Sequence, residues 1–203
     1  MFTLDNFFLL LTGLAAAYLL WRFYTRWSKG KQLYDVYYNL GFLVLLVSGL
    51  LLIVLGLDIL ASPYVLTVAS LIPLGISMGI VEEYYPQYKT PYKWFALVGF
   101  LAIAVSAIAG IDIVKKISVP LFHGVAGLVI FLGPFLAKKA PKGFWWVGIG
   151  GLLIGLGGIA LAFISMGAQL LFFSPAFVML ILTPLLLLMT LAFAYGFTND
   201  IKG

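Results

Sequence analysis

The 203-residue chain contains 64% hydrophobic residues, only 9% charged residues, and has a mean hydropathy of +1.14, a balance that indicates an integral membrane protein. Its formal net charge of +5 lies in a few short polar segments, so it reflects membrane topology and excludes nucleic acid as an expected partner. The complete absence of cysteine excludes disulfides, thiolate metal sites and cysteine nucleophiles.

Seven apolar stretches predict seven transmembrane helices, because each is close to the ~20 residues that a helix needs to cross about 30 Å of hydrocarbon. The sequence therefore predicts an all-α membrane protein with a single integral membrane domain that covers residues 1–203. The predicted helices span residues 2–23, 36–60, 63–81, 94–113, 117–137, 144–168 and 171–197.

The basic residues predict the orientation of these helices. Only Lys115 and Lys116 lie in the connections on one side of the membrane, and ten Lys and Arg residues lie on the other. By the positive-inside bias, the N-terminus is outside and the C-terminus is cytoplasmic, as expected for a multi-pass protein of the cell membrane. The first helix is predicted to be a retained anchor, because Asp5 stands where a signal peptide has basic residues. The ten are Arg22, Arg26, Lys29, Lys31, Lys89, Lys93, Lys138, Lys139, Lys142 and Lys202.

The chain divides into a lone first helix with a basic loop, residues 1–33, and three weakly similar helical hairpins, residues 34–91, 92–142 and 143–203. Each hairpin opens on an aromatic and glycine-rich segment and has a second helix that is predicted to begin at a proline, where the missing N–H costs little. A further proline deeper in each second helix is predicted to kink it. The first prolines are Pro63, Pro120 and Pro175, and the deeper ones are Pro73, Pro134 and Pro184.

The outer turn of the middle hairpin carries the segments Gly110-Ile111-Asp112-Ile113 and Pro120-Leu121-Phe122-His123-Gly124. With the lone helix and the three hairpins, these segments give the whole chain a pattern that resembles an uncharacterised family of small, mainly archaeal seven-helix membrane proteins, a domain of unknown function. The resemblance implies the seven-helix fold and no established activity.

Several polar residues are predicted to reach the outer rim, because the hairpin turns all arrive there. They form a candidate outer polar site: Asp58, Asp112, Lys116, His123 and Gln169. The alternative for Asp112 and Lys116 is an interfacial ion pair, since they are four residues apart with the acid first. The alternative for His123 is a hydrogen-bonded packing residue. A haem or copper site would need a second strong ligand, so no metal and no cofactor are predicted.

The acidic residues all lie near predicted helix ends, and no helix centre carries a charge. This placement disfavours a pump or a proton-coupled carrier, which need ionisable groups at membrane depth. Adjacent residues in a helix diverge by about 100°, so Glu82 and Glu83 need not share a site. Together with nearby tyrosines and lysines they predict an interfacial belt of aromatic residues and salt-bridged helix termini.

The sixth predicted helix is rich in glycine. Small residues at helical spacing let two backbones approach closely in lipid, and packing within the chain is favoured over dimerisation. The residues predicted to serve this helix packing are Gly150, Gly151, Gly155 and Gly158.

No segment contains a recognisable catalytic or nucleotide-binding motif, so the sequence predicts a protein without enzymatic activity. The leading hypothesis is a structural or accessory membrane subunit, for example of a respiratory or other energy-transducing complex. The alternative is a passive channel, carrier or binder for a small or apolar molecule such as a quinone or lipid. The expected partners are the lipid bilayer and either other membrane subunits or a second copy of the chain.

Overall fold

The computed structural model describes residues 3–165 and 174–201. Every regular element in these two ranges is helical, which confirms the all-α prediction. Six helical spans are long and apolar enough to cross a membrane, α3 and α4 together forming one of them, and α7 adds a shorter apolar stretch over residues 145–161. The helices are α1 (Leu4–Gly30), α2 (Leu33–Leu55), α3 (Pro63–Ala69), α4 (Leu71–Tyr84), α5 (Lys89–Ile108), α6 (Asp112–Leu136), α7 (Trp145–Ser165) and α8 (Pro175–Asp200).

Several helix boundaries differ from the prediction, and at the longest extensions polar residues continue the helix; α5, for example, begins at Lys89, five residues before its predicted start. α1 runs to Gly30, seven residues beyond its predicted end, and α6 begins at Asp112. Pro120 therefore lies inside α6 and not in its first turn, so that part of the prediction was wrong. Long basic side chains can carry their charge to the interface while their backbone stays helical, and a basic residue near an apolar run therefore does not mark the end of the helix.

The other hairpin prolines lie either in the first turn of a helix or inside one. Pro63 and Pro175 stand in the first turn of α3 and α8, as predicted. Pro73 has no N–H to bond the carbonyl of Ala69, and the first hairpin's second helix is divided there into α3 and α4. Pro134 and Pro184 lie inside α6 and α8, which are continuous.

The three hairpins share one packing feature, a glycine of the first helix that contacts the second. A Cβ on Gly41 would meet Ile72 and Ile76 of α4, a Cβ on Gly99 would meet the Phe122 ring of α6, and a Cβ on Gly150 would meet the Phe193 ring of α8. The first two hairpins also turn at a glycine with positive φ: Gly56 (80°) after α2 and Gly110 (68°) after α5. Only glycine adopts this conformation without strain.

Six helices pack in a closed sequence of neighbours, α1, α2, α4, α6, α7, α8 and back to α1, which we call the helix ring. α5 packs outside it, against α3, α4 and α6. The ring closes between α1 and α8 through a hydrogen bond at each end: Thr183 Oγ1 donates to Asp5 Oδ1 (2.5 Å), and Arg26 donates to Asp200 (2.7 Å). We call the end that holds Arg26 the basic end, because nine of the ten basic residues predicted to be cytoplasmic lie in described segments there.

Candidate functional site

Four charged side chains meet inside the helix ring at the basic end, and we call them the Arg26 cluster: Arg26, Asp35, Glu83 and Asp200. Arg26 lies near the end of α1, where α2 begins and where α4 and α8 end. Its Nε donates to Asp35 Oδ1 at 2.6 Å, and its Nη1 lies 2.7 Å from Asp200 Oδ2 and 3.1 Å from Glu83 Oε1. One guanidinium therefore links α1 to three other helices.

Aromatic groups complete this cluster. The Tyr38 hydroxyl donates to Glu83 Oε2 at 2.9 Å, and the Tyr84 hydroxyl donates to Asp200 Oδ1. The guanidinium carbon lies 4.9 Å from the centre of the Tyr34 ring, a distance suited to cation–π attraction. The Arg26 side chain is only 18% exposed and that of Asp35 is fully buried, so these contacts replace most of the water that would otherwise solvate the charges.

Arg26 lies in a predicted loop and the cluster is not among the predicted sites, although the sequence contains a signal for it. The buried face of α1 includes Leu9, Ala16, Leu19 and Phe23. Arg26 follows Phe23 by three residues, so it lies on the same face of the helix. Asp35, Glu83 and Asp200 extend the buried faces of α2, α4 and α8 in the same manner. A charge that continues a buried face is a candidate for a buried ion pair.

Glu82 and Glu83 do not share a site. Glu82 Oε2 lies 2.9 Å from Lys93 Nζ, and Glu82 Oε1 lies 3.8 Å from Lys89 Nζ, both on α5. Glu83 instead belongs to the Arg26 cluster. The predicted salt bridges between helix ends at this level are thus present. Glu82 links α4 to α5, and Glu83 links α4 to Arg26 of α1.

A layer of aromatic side chains fills the helix ring next to the Arg26 cluster, and we call it the aromatic layer. All of its members are fully buried. Neighbouring rings pack closely, with centroids 4.7 Å apart for one stacked pair and 5.1 Å apart for an edge-on pair. The layer consists of Phe23, Tyr38, Phe42, Phe193 and Phe197.

An apolar cavity of about 300 Å³ lies beyond the aromatic layer, toward the opposite end of the helix ring. Its wall draws on the first half of α1, the second half of α2, α3 and the start of α4, and on α6, α7 and α8. Leu9, Leu45, Ile154, Leu182 and Met189 are among its buried lining residues.

From the exposure of its lining residues we infer that the cavity opens toward the surface between α2 and α3. Four of its lining residues are also exposed on the outside of the bundle: Val47 (44%) and Leu51 (41%) on α2, and Tyr64 (65%) and Val68 (46%) on α3. They border one side of the cavity, and in a membrane this side faces lipid. A molecule dissolved in the bilayer could therefore reach the cavity without crossing an aqueous phase.

His123 of α6 lies in the wall of this cavity, and its ring packs against α7. Its Nε2 is buried without a hydrogen-bond partner among the described residues. The ring lies directly against Gly158, where any side chain would collide with it. This arrangement is consistent with the packing alternative considered for His123, with the close contact made to Gly158 of α7. In the described ranges no group of three or more His, Asp or Glu side chains is placed to hold a metal ion.

The other members of the candidate outer polar site are not joined to His123 by any described contact. Asp58 lies in a short 3₁₀ turn, Leu57–Ala61. Asp112 forms an ion pair with Lys115 at 2.8 Å, three residues on, and not with Lys116. Gln169 lies outside the described residues. The outer polar site stays a prediction.

The glycines of α7 contact other helices of the same chain. A Cβ on Gly151 would lie 2.6 Å from the α6 backbone at Ile130 and Phe131, whereas a Cβ on Gly155 would meet nothing within 4 Å. Gly155 serves the contact in another way, because its own Cα lies 3.3 Å from the position of a Cβ on Gly127 of α6. With Gly150 against α8, these contacts favour packing within the chain.

Comparisons of the chain with protein-family models, with curated proteins and with solved structures give no match. The resemblance to a small archaeal membrane protein family therefore stays a prediction.

Proposed function

We propose that this chain is a multi-pass membrane protein that binds a small apolar molecule, such as a quinone ring or a lipid chain, in the apolar cavity. The observation that carries the proposal is the exposure of cavity-lining residues on α2 and α3, from which we infer a lateral opening between these helices. A volume of about 300 Å³ is at the lower end of the range found for small-molecule pockets, about 300–1,000 Å³. It suits one ring system or part of a lipid chain.

The chemistry of the wall supports an apolar ligand. Nearly all the lining side chains are aliphatic or aromatic. Thr12, a polar exception, already donates its hydroxyl hydrogen to the carbonyl of Phe8 at 2.9 Å. A polar solute would lose its water at this site and find few groups to replace it. An apolar molecule would lose no hydrogen bonds and would gain packing contacts.

The aromatic layer favours a binding protein over a channel. Fully buried rings occupy the helix ring between the apolar cavity and the basic end, and the Arg26 cluster lies next to them on that side. A solute in the cavity therefore faces lipid on one side and closely packed rings toward the basic end. The predicted role as an accessory subunit stays a hypothesis, and the α7 glycines that suit contact with a partner helix already contact α6 and α8.

A cavity-filling substitution tests the proposal. Val65 lines the cavity on α3, and Val65→Phe should occupy space that the ligand needs. Val98→Phe is the matched control, because Val98 is 54% exposed on α5, away from the cavity. Each protein is purified in mild detergent and incubated with a short-tailed quinone and, separately, with a fatty acid. Bound molecules are then extracted and measured by mass spectrometry.

We expect the parent and Val98→Phe to retain one of these probes in a stoichiometric amount, and Val65→Phe to retain much less while still unfolding cooperatively. Retention of neither probe by the parent would contradict the proposal, and so would equal retention by all three proteins.

A further inference from the structure

A polar vestibule of about 890 Å³ opens at the basic end, above the Arg26 cluster. Its inner wall includes Arg26, Glu83 and Asp200, whose side chains are 18%, 12% and 6% exposed. Its outer wall contains three further cations: Arg22, which is half-buried, and Lys29 and Lys139, which are exposed. The vestibule thus has charged groups at two depths, with both acidic side chains at the inner one.

Among the residues that the structure describes, the three outer cations have no acidic partner. Every carboxylate that lines the vestibule is paired with Arg26, and Tyr38 and Tyr84 also donate to these carboxylates. In the described part of the chain, neither Arg22, Lys29 nor Lys139 forms an ion pair. Arg22 donates only to the Tyr18 hydroxyl, at 3.1 Å.

These cations come from two separate segments. Arg22 and Lys29 lie two helical turns apart on α1, and Lys139 lies in the connection between α6 and α7. The positive-inside bias explains why basic residues are found at this end. It does not explain why three of them line one cavity, while Lys31, Lys138 and Lys142 at the same end do not.

We propose that the vestibule binds a phosphate group, which an anionic lipid headgroup presents to Arg22, Lys29 and Lys139. A guanidinium can hold two phosphate oxygens at once and an ammonium adds a compact point charge, so one arginine with two lysines suits a phosphate well. The inner carboxylates are turned to Arg26 and the tyrosine hydroxyls. This site is independent of the apolar cavity.

The level of the vestibule in the membrane favours a lipid over a soluble ion. Trp21 lines it and is 61% exposed, and tryptophan is enriched at the depth of lipid headgroups. Ile201 adds an apolar residue to the wall. A headgroup that enters here would keep its acyl chains beside the apolar surface of the bundle.

The test removes three charges from the vestibule and compares the result with the removal of three charges beside it. The site variant is Arg22→Gln with Lys29→Gln and Lys139→Gln. The control variant is Lys31→Gln with Lys138→Gln and Lys142→Gln, which lowers the charge of the same end by the same amount. Each protein is purified in detergent, mixed with phosphatidylglycerol and analysed by native mass spectrometry for retained lipid. The melting temperature is also measured with and without inorganic phosphate.

We expect the parent and the control variant to retain phosphatidylglycerol, and retention by the site variant to fall by about tenfold or more, since each lost hydrogen bond to a charged group weakens binding by roughly that factor. If inorganic phosphate raises the melting temperature of the parent but not of the site variant, and no lipid is retained, the phosphate comes from a soluble molecule. Equal behaviour of the two variants with both ligands would overturn the proposal.

Discussion

At the scale of single residues, the central feature is the dependence of four helices on one guanidinium. Asp35, Glu83 and Asp200 come from α2, α4 and α8, and all three contact Arg26. Removal of one partner from a buried ion pair is more costly than its presence is stabilising, because the remaining charges keep their desolvation cost. Arg26 should therefore be the most sensitive charged position in the chain.

Arg26→Leu should destabilise the protein by about 3–5 kcal/mol, the range found when a buried ion pair loses one member. The measurement is unfolding in detergent, followed by circular dichroism. Arg22→Leu is the matched control. Arg22 lies one turn earlier on α1, and among the described residues its polar interactions are with the Tyr18 hydroxyl and ring, so this substitution should cost less than about 1 kcal/mol. Similar losses for both variants would show that the Arg26 cluster does not hold the helices together.

At the scale of the helices, α7 makes two different kinds of close contact one turn apart. Gly151 meets the backbone of α6, which cannot move aside as a flexible side chain can. Gly155 has open space where its side chain would be, and its Cα instead leaves room for Gly127. The two glycines belong to one small-residue motif in the sequence, yet they should respond differently to the same substitution.

Gly151→Ala should destabilise the bundle by about 1–3 kcal/mol, the usual cost of overpacking a well-filled interior. Gly155→Ala should be neutral or stabilising, because alanine favours a helix by up to about 1 kcal/mol over glycine and meets nothing here. The measurement is the melting temperature of each variant, compared with that of the parent. A larger loss for Gly155→Ala than for Gly151→Ala would mean that α6 and α7 pack in a different register.

The number of helices and their pairing in hairpins could be predicted from the sequence, because apolar length and the glycine pattern are local properties. Helix ends were less predictable: Arg26 and Lys115 lie within helices although their charge suggested loops. The Arg26 cluster was missed because its four members are far apart in the sequence and meet only in the folded ring. The apolar cavity could not be predicted at all, since it depends on how several helices fail to fill the space between them.

At the scale of the whole molecule, the helix ring encloses three levels of different chemistry. The Arg26 cluster lies at the basic end, the aromatic layer lies next to it, and the apolar cavity lies beyond. The charged groups are thus at the end that has access to water through the vestibule, and the cavity is at the side that has access to lipid between α2 and α3. This separation lets the two proposed sites act without sharing a ligand.

Single cysteines can test the orientation of the whole bundle, since the natural chain contains none. Ala61 is exposed in the turn between α2 and α3, and Gln87 is exposed in the turn between α4 and α5. The one-sided distribution of basic residues predicts that the first turn is outside and the second is cytoplasmic. In intact cells, Ala61→Cys should therefore react with a membrane-impermeant thiol reagent, and Gln87→Cys should react only after lysis. The cysteine-free parent gives the background. The reverse pattern would invert the bundle, and would place the vestibule with Arg22, Lys29 and Lys139 on the outer surface.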